Sequence, residues 1–250
     1  MATVVRGERR PFGPISNDTS GPATTHRQVG GEGVCRWKML MNGMHLEGEW
    51  NCVEYVVVEP GGSVGEHVHL RTEEIYYIVS GRAVVTMDGE EIEVRAGDLV
   101  TTPIGSAHSI ANRGDEDMHF FVTEVFPGEG PAARPALLHV PDLLPAAAGR
   151  PGAAPGARIA AVDLTPYFTG SWRRFRLLEV PAGGRVEESL PADLAIVLHV
   201  LDGQASIATG TEEYTGGAGL SVAVPPAYRH LLVNTGDRPL RVISTEVAVA

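Results

Sequence analysis

Short runs of alternating or mostly apolar residues dominate the pattern along this chain of 250 residues. Runs rich in valine, tyrosine and other β-branched or aromatic residues predict β-strands. In the first half of the chain, the strand-like segments are 51–58, 74–79, 83–87, 91–94 and 119–125. No segment shows the sustained 3.6-residue period of a helix. The pattern therefore predicts an all-β protein.

Turn residues separate these segments. Asp88 and Gly89 stand between two of them, and an Asp-Gly pair in that position is a strong signal for a tight β-hairpin. The chain has 30 glycines and 18 prolines but only 6% aromatic residues. That balance favours many short strands joined by turns.

A single offset of 122 residues lays the second half of the chain over the first half without a gap. The matched residues are mainly turn glycines, with a few tryptophan, proline, histidine and asparagine positions: Gly48 and Gly170, Trp50 and Trp172, Gly61 and Gly183, Gly62 and Gly184, Gly81 and Gly203, Gly97 and Gly219, Pro103 and Pro225, His108 and His230, and Asn112 and Asn234. Thr-Glu-Val at 123–125 likewise falls on 245–247. The chain is thus predicted to be a tandem duplication, with an antiparallel barrel or jelly roll in each half.

Two segments without a strand pattern set the predicted domain boundaries. Residues 1–34 are rich in Gly, Pro, Thr and Arg and are interpreted as an N-terminal arm. Residues 127–157 are rich in Pro, Ala and Gly and are interpreted as a linker, in which 137–144 forms a short ordered piece. The two predicted domains are then 35–126 and 158–250.

The acidic composition narrows the classes of function. The formal net charge at pH 7 is -11, and the pI is about 5.3. Such a chain repels phosphate backbones and anionic lipids, so we expect neither a nucleic acid nor a membrane as partner. No stretch reaches the apolar length of a membrane span, and the N-terminus lacks the apolar region of a secretory signal. Cys35 and Cys52 form no disulfide framework, which favours a reducing, cytoplasmic compartment.

The first copy carries residues with metal-binding chemistry. His67 and His69 are two apart in strand-like sequence, so both point to one face. Glu74 follows after a short turn, and His108 can approach from a neighbouring strand. Three neutral imidazoles and one carboxylate suit a divalent transition ion such as Fe, Mn, Zn, Ni, Co or Cu. They suit Mg²⁺ and Ca²⁺ poorly, because those ions prefer oxygen ligands.

The spacing of these residues resembles the two signature motifs of the cupin family. The motifs read Gly61-(x5)-His67-Val68-His69-(x4)-Glu74-(x6)-Gly81 and Gly97-(x5)-Pro103-x-Gly105-(x2)-His108-(x3)-Asn112. The resemblance covers residues 36–126 and 158–250, and the chain looks like a bicupin. It implies two tandem cupin double-stranded β-helix (jelly-roll) barrels, with His67, His69, Glu74 and His108 as the metal ligands. Glu73 is the one close rival of Glu74, and the spacing to Gly81 favours Glu74.

The second copy departs from this pattern. The offset places Ser189, Pro191 and Ile196 where the first copy has His, His and Glu, and leaves His230 as the one retained ligand type. Ala227 replaces the glycine of the second motif. We therefore expect the second barrel to be a scaffold that holds no metal.

Other residues have weaker assignments. Tyr76 is two residues past Glu74 and should share its inward face, where it is either a packed core tyrosine or the predicted catalytic residue that orients a substrate or donates a proton. Tyr77 should face the opposite way. The strand at 50–58 should line the cavity, but both of its faces are largely apolar, and its inward set stays open. Three arginines are expected to be solvated or to lie at an interface: Arg173, Arg174 and Arg176. The histidines outside the motifs are expected to be ordinary core or surface residues: His26, His45, His119, His139 and His199.

Three hypotheses about function follow. An octahedral ion with four protein ligands keeps two positions open, which can take a bidentate substrate or a substrate plus dioxygen. The favoured hypothesis is an Fe(II)-dependent oxygenase that acts on a small polar metabolite and holds one divalent transition metal per chain. The alternatives are a non-redox metalloenzyme with Zn or Mn (isomerase, cyclase, lyase, decarboxylase or metal-templated rearrangement) and a non-catalytic small-molecule-binding cupin.

Two further expectations concern context. The segment 73–77 is similar to small cupins of natural-product pathways, which favours a biosynthetic role. The expected partner is a small-molecule substrate, and the chain is expected to be a monomer or a homodimer.

Overall fold

The computed structural model describes residues 13–131, 133–145, 152 and 155–249. Within these residues it contains only strands and three short 3-10 helices, Gln28–Gly30, Gly43–His45 and Val140–Leu143, so the predicted all-β class is confirmed. The first described strand is β1 (Ile15–Asn17).

The first half of the chain forms two antiparallel sheets that pack face to face. Its strands are β2 (Ala23–His26), β3 (Val34–Asn42), β4 (Trp50–Val58), β5 (Ser63–Val68), β6 (Glu73–Ser80), β7 (Arg82–Met87), β8 (Glu90–Arg95), β9 (Asp98–Thr102), β10 (Ala107–Ala111), β11 (Met118–Val125) and β12 (Ala136–His139). The large sheet has the order β12-β9-β6-β11-β4-β3-β2, and the small sheet has the order β5-β10-β7-β8. A buried apolar core lies between them, as the predicted jelly roll requires.

The hairpin predicted from Asp88 and Gly89 joins β7 to β8. Both turn residues have a positive φ, 47° for Asp88 and 87° for Gly89. Two consecutive positive φ angles are what a type I′ turn needs, and this turn matches the twist of the paired strands. Met87 and Glu90 are paired on either side of it.

The second half repeats the architecture of the first. Its strands are β13 (Arg158–Asp163), β14 (Trp172–Val180), β15 (Arg185–Ser189), β16 (Leu194–Asp202), β17 (Ala205–Thr209), β18 (Glu212–Gly216), β19 (Ser221–Val224), β20 (Arg229–Asn234) and β21 (Leu240–Ala248). The large sheet has the order β1-β19-β16-β21-β14-β13, and the small sheet has the order β15-β20-β17-β18. A separate apolar core fills this second barrel.

The offset of 122 residues holds at the level of strand register. In the first barrel Met118 of β11 pairs with Val58 of β4. In the second barrel the residues 122 positions later, Leu240 and Val180, form the corresponding pair of β21 and β14. The duplication predicted from glycine spacing is therefore a duplication of the fold.

The two large sheets face each other and share a third core that contains residues of both halves. Tyr77 lies against Phe175 with ring centroids 5.1 Å apart, so Tyr77 does face away from the cavity of its own barrel. Thr123 Oγ1 is 3.4 Å from Oγ1 of Thr245, its counterpart in the repeat. Contact between equivalent residues indicates that the two barrels are related by an approximate twofold axis.

Glu73 is the strongest polar link between the two halves. Its side chain is fully buried. One carboxylate oxygen accepts hydrogen bonds from the backbone N–H and hydroxyl of Thr169, both at 2.8 Å. The other accepts from the N–H of Gly170 at 2.8 Å and from the indole of Trp172 at 3.1 Å. A Cβ at Gly170 would lie 2.9 Å from the carboxylate and 2.5 Å from the carbonyl of Phe126, which explains the glycine.

The N-terminal segment connects both sheets. β1 pairs with β19 of the second half, while β2 pairs with β3 of the first. The ordered piece expected inside the linker is present, because β12 pairs with β9 and the Val140–Leu143 helix follows it. Residues 1–12 of the predicted arm, and 132, 146–151, 153 and 154 of the predicted linker, lie outside the described residues.

Within the described part of the chain, no helix has the length and apolar character that a bilayer span requires. Cys35 and Cys52 are both buried and unpaired with each other.

His199 is a core residue of the domain interface, as expected for a histidine outside the motifs. Its ring lies 4.8 Å from that of Phe121 and 5.6 Å from that of Tyr55, centroid to centroid. Nδ1 contacts the hydroxyl of Ser221 at 2.8 Å. Burial lowers the pKa of His199 to about 3, because the interior disfavours the charged ring.

Replacing Glu73 by alanine should lower the free energy of unfolding by on the order of 3 kcal/mol, because buried donors of the second half lose their charged acceptor. Chemical denaturation would measure this change. Glu90→Ala, on the exposed side of β8, is the matched control and should change the free energy by less than about 0.5 kcal/mol. Equal effects of the two substitutions would contradict the assigned role of Glu73.

His199 should make the protein less stable in mild acid. Its folded pKa lies below the unfolded value of about 6.5, so the unfolded chain binds a proton first and stability falls as the pH drops below about 6.5. From pH 7 to pH 5 this histidine should account for a loss of about 2 kcal/mol. His199→Asn should remove that part of the pH dependence, and substitution of the exposed His26 by Asn should leave it unchanged. Identical pH profiles for wild type and His199→Asn would contradict the assignment.

Candidate metal centre

Three segments of the first barrel bring the predicted ligands together. His67 lies near the end of β5, directly opposite His108 of β10 in the antiparallel register. His69 follows β5 by one residue and shares the face of His67, because side chains two apart on a strand point the same way. Glu74 lies at the start of β6. Antiparallel pairing of neighbouring strands thus brings residues that are far apart in the sequence into one cluster.

The three imidazoles converge through their Nε2 atoms. The Nε2 of His67 is 3.0 Å from the Nε2 of His69 and 3.0 Å from the Nε2 of His108. The ring centroids lie between 4.4 and 5.1 Å apart, and the rings are tilted or edge-on to one another. Three ring nitrogens therefore face one small volume.

The second nitrogen of each ring is already occupied. Nδ1 of His67 lies 2.8 Å from the carbonyl oxygen of Gly65, which can only accept, so Nδ1 donates and Nε2 carries a lone pair. The other two rings contact threonine hydroxyls through Nδ1 at 2.8 Å: His69 contacts Thr72, and His108 contacts Thr102. Partners of this kind fix the ring orientation and tautomer that a metal ligand needs.

Burial also keeps the rings of His69 and His108 neutral. Burial, followed by the neighbouring His67 and His69, lowers the pKa of His108 to about 2. Burial also lowers the pKa of His69, and the charge of Glu124 opposes this. Neutral imidazoles offer lone pairs and no protons at physiological pH, which is the state that binds a metal.

Glu74 completes the cluster, and one of its two carboxylate oxygens lacks a donor. The residue is 3% exposed, and its Oε2 makes no hydrogen bond within the described part of the structure. That oxygen lies 3.2 Å from Nε2 of His108 and 3.7 Å from Nε2 of His69. Burial, and then the charges of Glu124 and Glu54, raise the pKa of Glu74 well above its ordinary value. Glu73 points to the other half of the chain, so Glu74 is the carboxylate that faces the imidazoles.

These atoms fit a divalent transition ion. Four acceptors that converge without a proton or cation between them are unfavourable, and an ion at their centre would pair with all of them. Two nitrogens at about 2.1 Å from one ion are about 3 Å apart when they subtend a right angle, and the observed Nε2 separations are 3.0 Å. His67, His69, Glu74 and His108 would hold the ion.

A cavity of about 330 Å³ opens over this cluster. Glu54 and Val56 line it, which answers the open question of which residues of β4 face inward, while Val53 belongs to the shared core between the halves. The other lining residues are largely apolar, and they include Trp37, Val64, Phe120 and Val122.

Sequence reasoning missed two carboxylates in this cavity, Glu54 and Glu124. Donor atoms of Glu124, Glu74 and His69 lie within 4.8 Å of one another. Two features of the sequence could have indicated these carboxylates. Glu124 belongs to the Thr-Glu-Val sequence that recurs 122 residues later, and Glu54 is a lone charge inside an otherwise apolar strand. An isolated charge in such a strand indicates a polar cavity on that face.

Tyr76 lies where its spacing from Glu74 placed it. It lines the cavity and is 3% exposed. Its ring is stacked on that of His108 with centroids 5.1 Å apart, and its hydroxyl is 3.4 Å from Nε2 of His108. Burial, and then the charge of Glu74, raise the pKa of Tyr76 well above 10, so its hydroxyl keeps its proton. Its catalytic role stays a prediction.

The second barrel has an arginine in the corresponding volume. Arg176, which occupies the repeat position of Glu54, is 2% exposed. Its guanidinium lies 2.8 Å from Glu246, the counterpart of Glu124, and 2.8 and 3.0 Å from the two oxygens of Glu188. Although burial acts to raise it, hydrogen bonds from His230 and Arg176 hold the pKa of Glu188 below its usual range.

The expectation that Arg176 is solvated or at an interface was therefore wrong. Two carboxylates surround the guanidinium and offset the unfavourable burial of its charge. Arg173 is exposed and Arg174 partly exposed, as expected. Among the described residues, the groups that could hold a metal all lie in the first barrel, and none includes His230 or the other five histidines.

Comparison with known proteins identifies the same domain in each half. The cupin domain family matches residues 54–124 and 176–246. The oxalate-binding protein of Thermotoga maritima is 34% identical over 99 residues, which cover 40% of this chain and 82% of that protein. Polyketide synthase CurC of Streptomyces cyaneus is 37% identical over 90 residues, which cover 36% of this chain and 56% of that protein.

A solved structure of oxalate decarboxylase from Bacillus subtilis, a variant with one tryptophan replaced by tyrosine, superimposes with a TM-score of 0.71. The identity is 17%, and the match covers 96% of this chain and 78% of that one. At this identity the likeness shows the fold. Mn(II) centres are described for the same Bacillus enzyme.

Purified protein should contain one divalent transition ion per chain, measured by mass spectrometry of the metals. His67→Ala and His108→Ala should each lose it, because the remaining donors hold an ion too weakly. His230→Ala should retain the full content. Stoichiometric metal in both first-barrel variants, or loss of half the metal from His230→Ala, would contradict the assignment.

Proposed function

Because this chain belongs to the cupin family, with one cupin domain in each half, we propose that it is a metal-dependent enzyme acting on a small polar molecule. The observation that carries the proposal is the convergence of three neutral imidazoles and a buried carboxylate beneath a cavity of about 330 Å³. A cavity of this volume fits a small metabolite.

The bound ion would supply Lewis acidity, polarising a carbonyl or carboxylate oxygen of the substrate. The chain supplies the groups that move protons. Burial raises the pKa of Glu54, although a hydrogen bond from Trp37 opposes the change, and a raised carboxylate pKa is suited to proton transfer near neutral pH. Glu124 lies closer to the ligand cluster and lines the same cavity. Tyr76 holds the ring of His108 in place by stacking on it.

Non-redox chemistry is the first candidate: a decarboxylase, another lyase, a cyclase or an isomerase. Acid–base groups beside a polarising ion are the equipment that such reactions need. The names of two similar proteins, an oxalate decarboxylase and a polyketide synthase component, support this class and a place in small-molecule metabolism. The Mn(II) centres of the Bacillus enzyme support Mn as the ion.

An Fe(II)-dependent oxygenase, the chemistry favoured by the sequence, is the second candidate. The observation in its favour is the apolar part of the cavity wall, formed by Val56, Val64, Phe120 and Val122, because dioxygen is itself apolar. Four protein ligands also leave room for both dioxygen and substrate on an octahedral ion.

The two candidates differ in their need for oxygen. Mn(II)-loaded and Fe(II)-loaded protein would be incubated with oxalate, small keto acids, amino amides and linear polyketide mimics, with and without oxygen, and products followed by mass spectrometry. We expect turnover without oxygen that is lost in His67→Ala. Oxygen uptake matched to product in the Fe(II) protein would favour the oxygenase. Absence of turnover with either metal, under both conditions, would contradict an enzyme for these substrates.

A further inference from the structure

Three carboxylates lie side by side on the inner face of the large sheet in the first barrel. Glu74 of β6 is directly paired with Glu124 of β11. On the other side of β11, Glu54 of β4 is paired with Val122, two residues from Glu124 and on the same face. All three glutamates line the cavity.

The two carboxylates outside the four-residue ligand set, Glu124 and Glu54, accept hydrogen bonds from neutral donors. Glu124 accepts a hydrogen bond from the side-chain amide of Asn51 at 2.7 Å. Glu54 accepts from the indole of Trp37 at 2.6 Å. The lining of the cavity, as far as the structure describes it, includes no lysine or arginine. A divalent ion with neutral imidazoles offsets two of the three negative charges, so one remains when all three carboxylates are ionised.

In the second barrel the carboxylate equivalent to Glu124 has cationic partners. Glu246, the counterpart of Glu124, is 1% exposed and bound by two guanidinium groups, those of Arg174 at 2.7 Å and Arg176 at 2.8 Å. The same place in the fold therefore accommodates planar, cationic N–H donors against this carboxylate. In the first barrel Glu54 replaces the arginine, so the described part of the chain offers no cation at this place.

We propose that Glu54 and Glu124 are the substrate-specificity residues of the first barrel, and that they select small molecules carrying an ammonium, amidinium or guanidinium group. The unpartnered, buried Oε2 of Glu74 marks the neighbouring position as the metal's, so the cationic group of the substrate lies on the Glu54 and Glu124 side. The inference rests on the proposed metalloenzyme and narrows its substrate class. It separates this chain from proteins whose ligand is oxalate, because a dianion would add to the excess negative charge.

Hydroxamates test this directly, because their metal-binding group stays constant while the charge of a distant substituent changes. The probes are 4-aminobutyrohydroxamate, butyrohydroxamate and glutaric monohydroxamate, whose chains end in an ammonium, a methyl and a carboxylate group. Co(II)-loaded protein would be titrated with each, and binding followed by the visible absorption of the ion. Wild type should bind 4-aminobutyrohydroxamate about tenfold or more tighter than butyrohydroxamate, and glutaric monohydroxamate most weakly.

The double variant Glu54→Gln/Glu124→Gln should bind all three probes with affinities within about threefold, since its amides carry no charge. Glu66→Gln/Glu93→Gln removes two exposed carboxylates and is the control with the same net charge. It should keep the wild-type order of affinities.

Three further outcomes would each contradict a specific part of the proposal. Equal affinities in wild type would overturn the specificity inference and leave the metalloenzyme intact. Loss of the metal from Glu124→Gln would make Glu124 a ligand and overturn its recognition role. Failure of wild type to bind Co(II), or to respond to any hydroxamate, would overturn the proposed metalloenzyme and this inference with it.

Discussion

A positive partner stabilises a carboxylate inside a β-barrel, and the two halves of this chain differ in where that partner comes from. In the second barrel Glu246 is paired with Arg174 and Arg176 of its own chain. In the first barrel the matching residue, Glu124, lies beside Glu74 and accepts a hydrogen bond from the amide of Asn51, while the nearby imidazoles are neutral and carry lone pairs. The second barrel thus supplies its own cations, while the proposed role of the first is to receive one.

The two copies of the duplicated fold therefore have different roles. Both barrels keep the same strands and the same register, so either could present ligands on β5, β6 and β10 or their counterparts. Glu73 fixes one barrel to the other from the residue next to Glu74, with its side chain on the opposite face of β6. Adjacent residues on one strand therefore serve the domain interface and the candidate metal centre, which links the geometry of the site to the packing of the second half.

The all-β class and the duplication follow from local patterns in the sequence, and the four residues of the cluster follow from motif spacing that resembles the cupin family. Turn glycines at an offset of 122 residues reveal the repeat, and histidines two apart on a strand share a face. Glu54 and Glu124 were not assigned and Arg176 was assigned wrongly, since their roles depend on which face of a strand turns inward. Packing between the sheets makes that choice, and a short apolar strand signals it only weakly, through a lone charge such as Glu54. Ala227 occupies the repeat position of Gly105 and has a φ of 65°. The backbone geometry of this turn therefore persists in the second barrel although the glycine is lost.

The most direct test is a crystal structure of metal-loaded protein with diffraction data collected at the absorption edge of the ion. The account predicts one anomalous peak per chain, bounded by Nε2 of His67, His69 and His108 and a carboxylate oxygen of Glu74, with the guanidinium of Arg176 filling the equivalent place in the second barrel. A peak beside His230, or a first barrel without a peak in metal-saturated crystals, would contradict it.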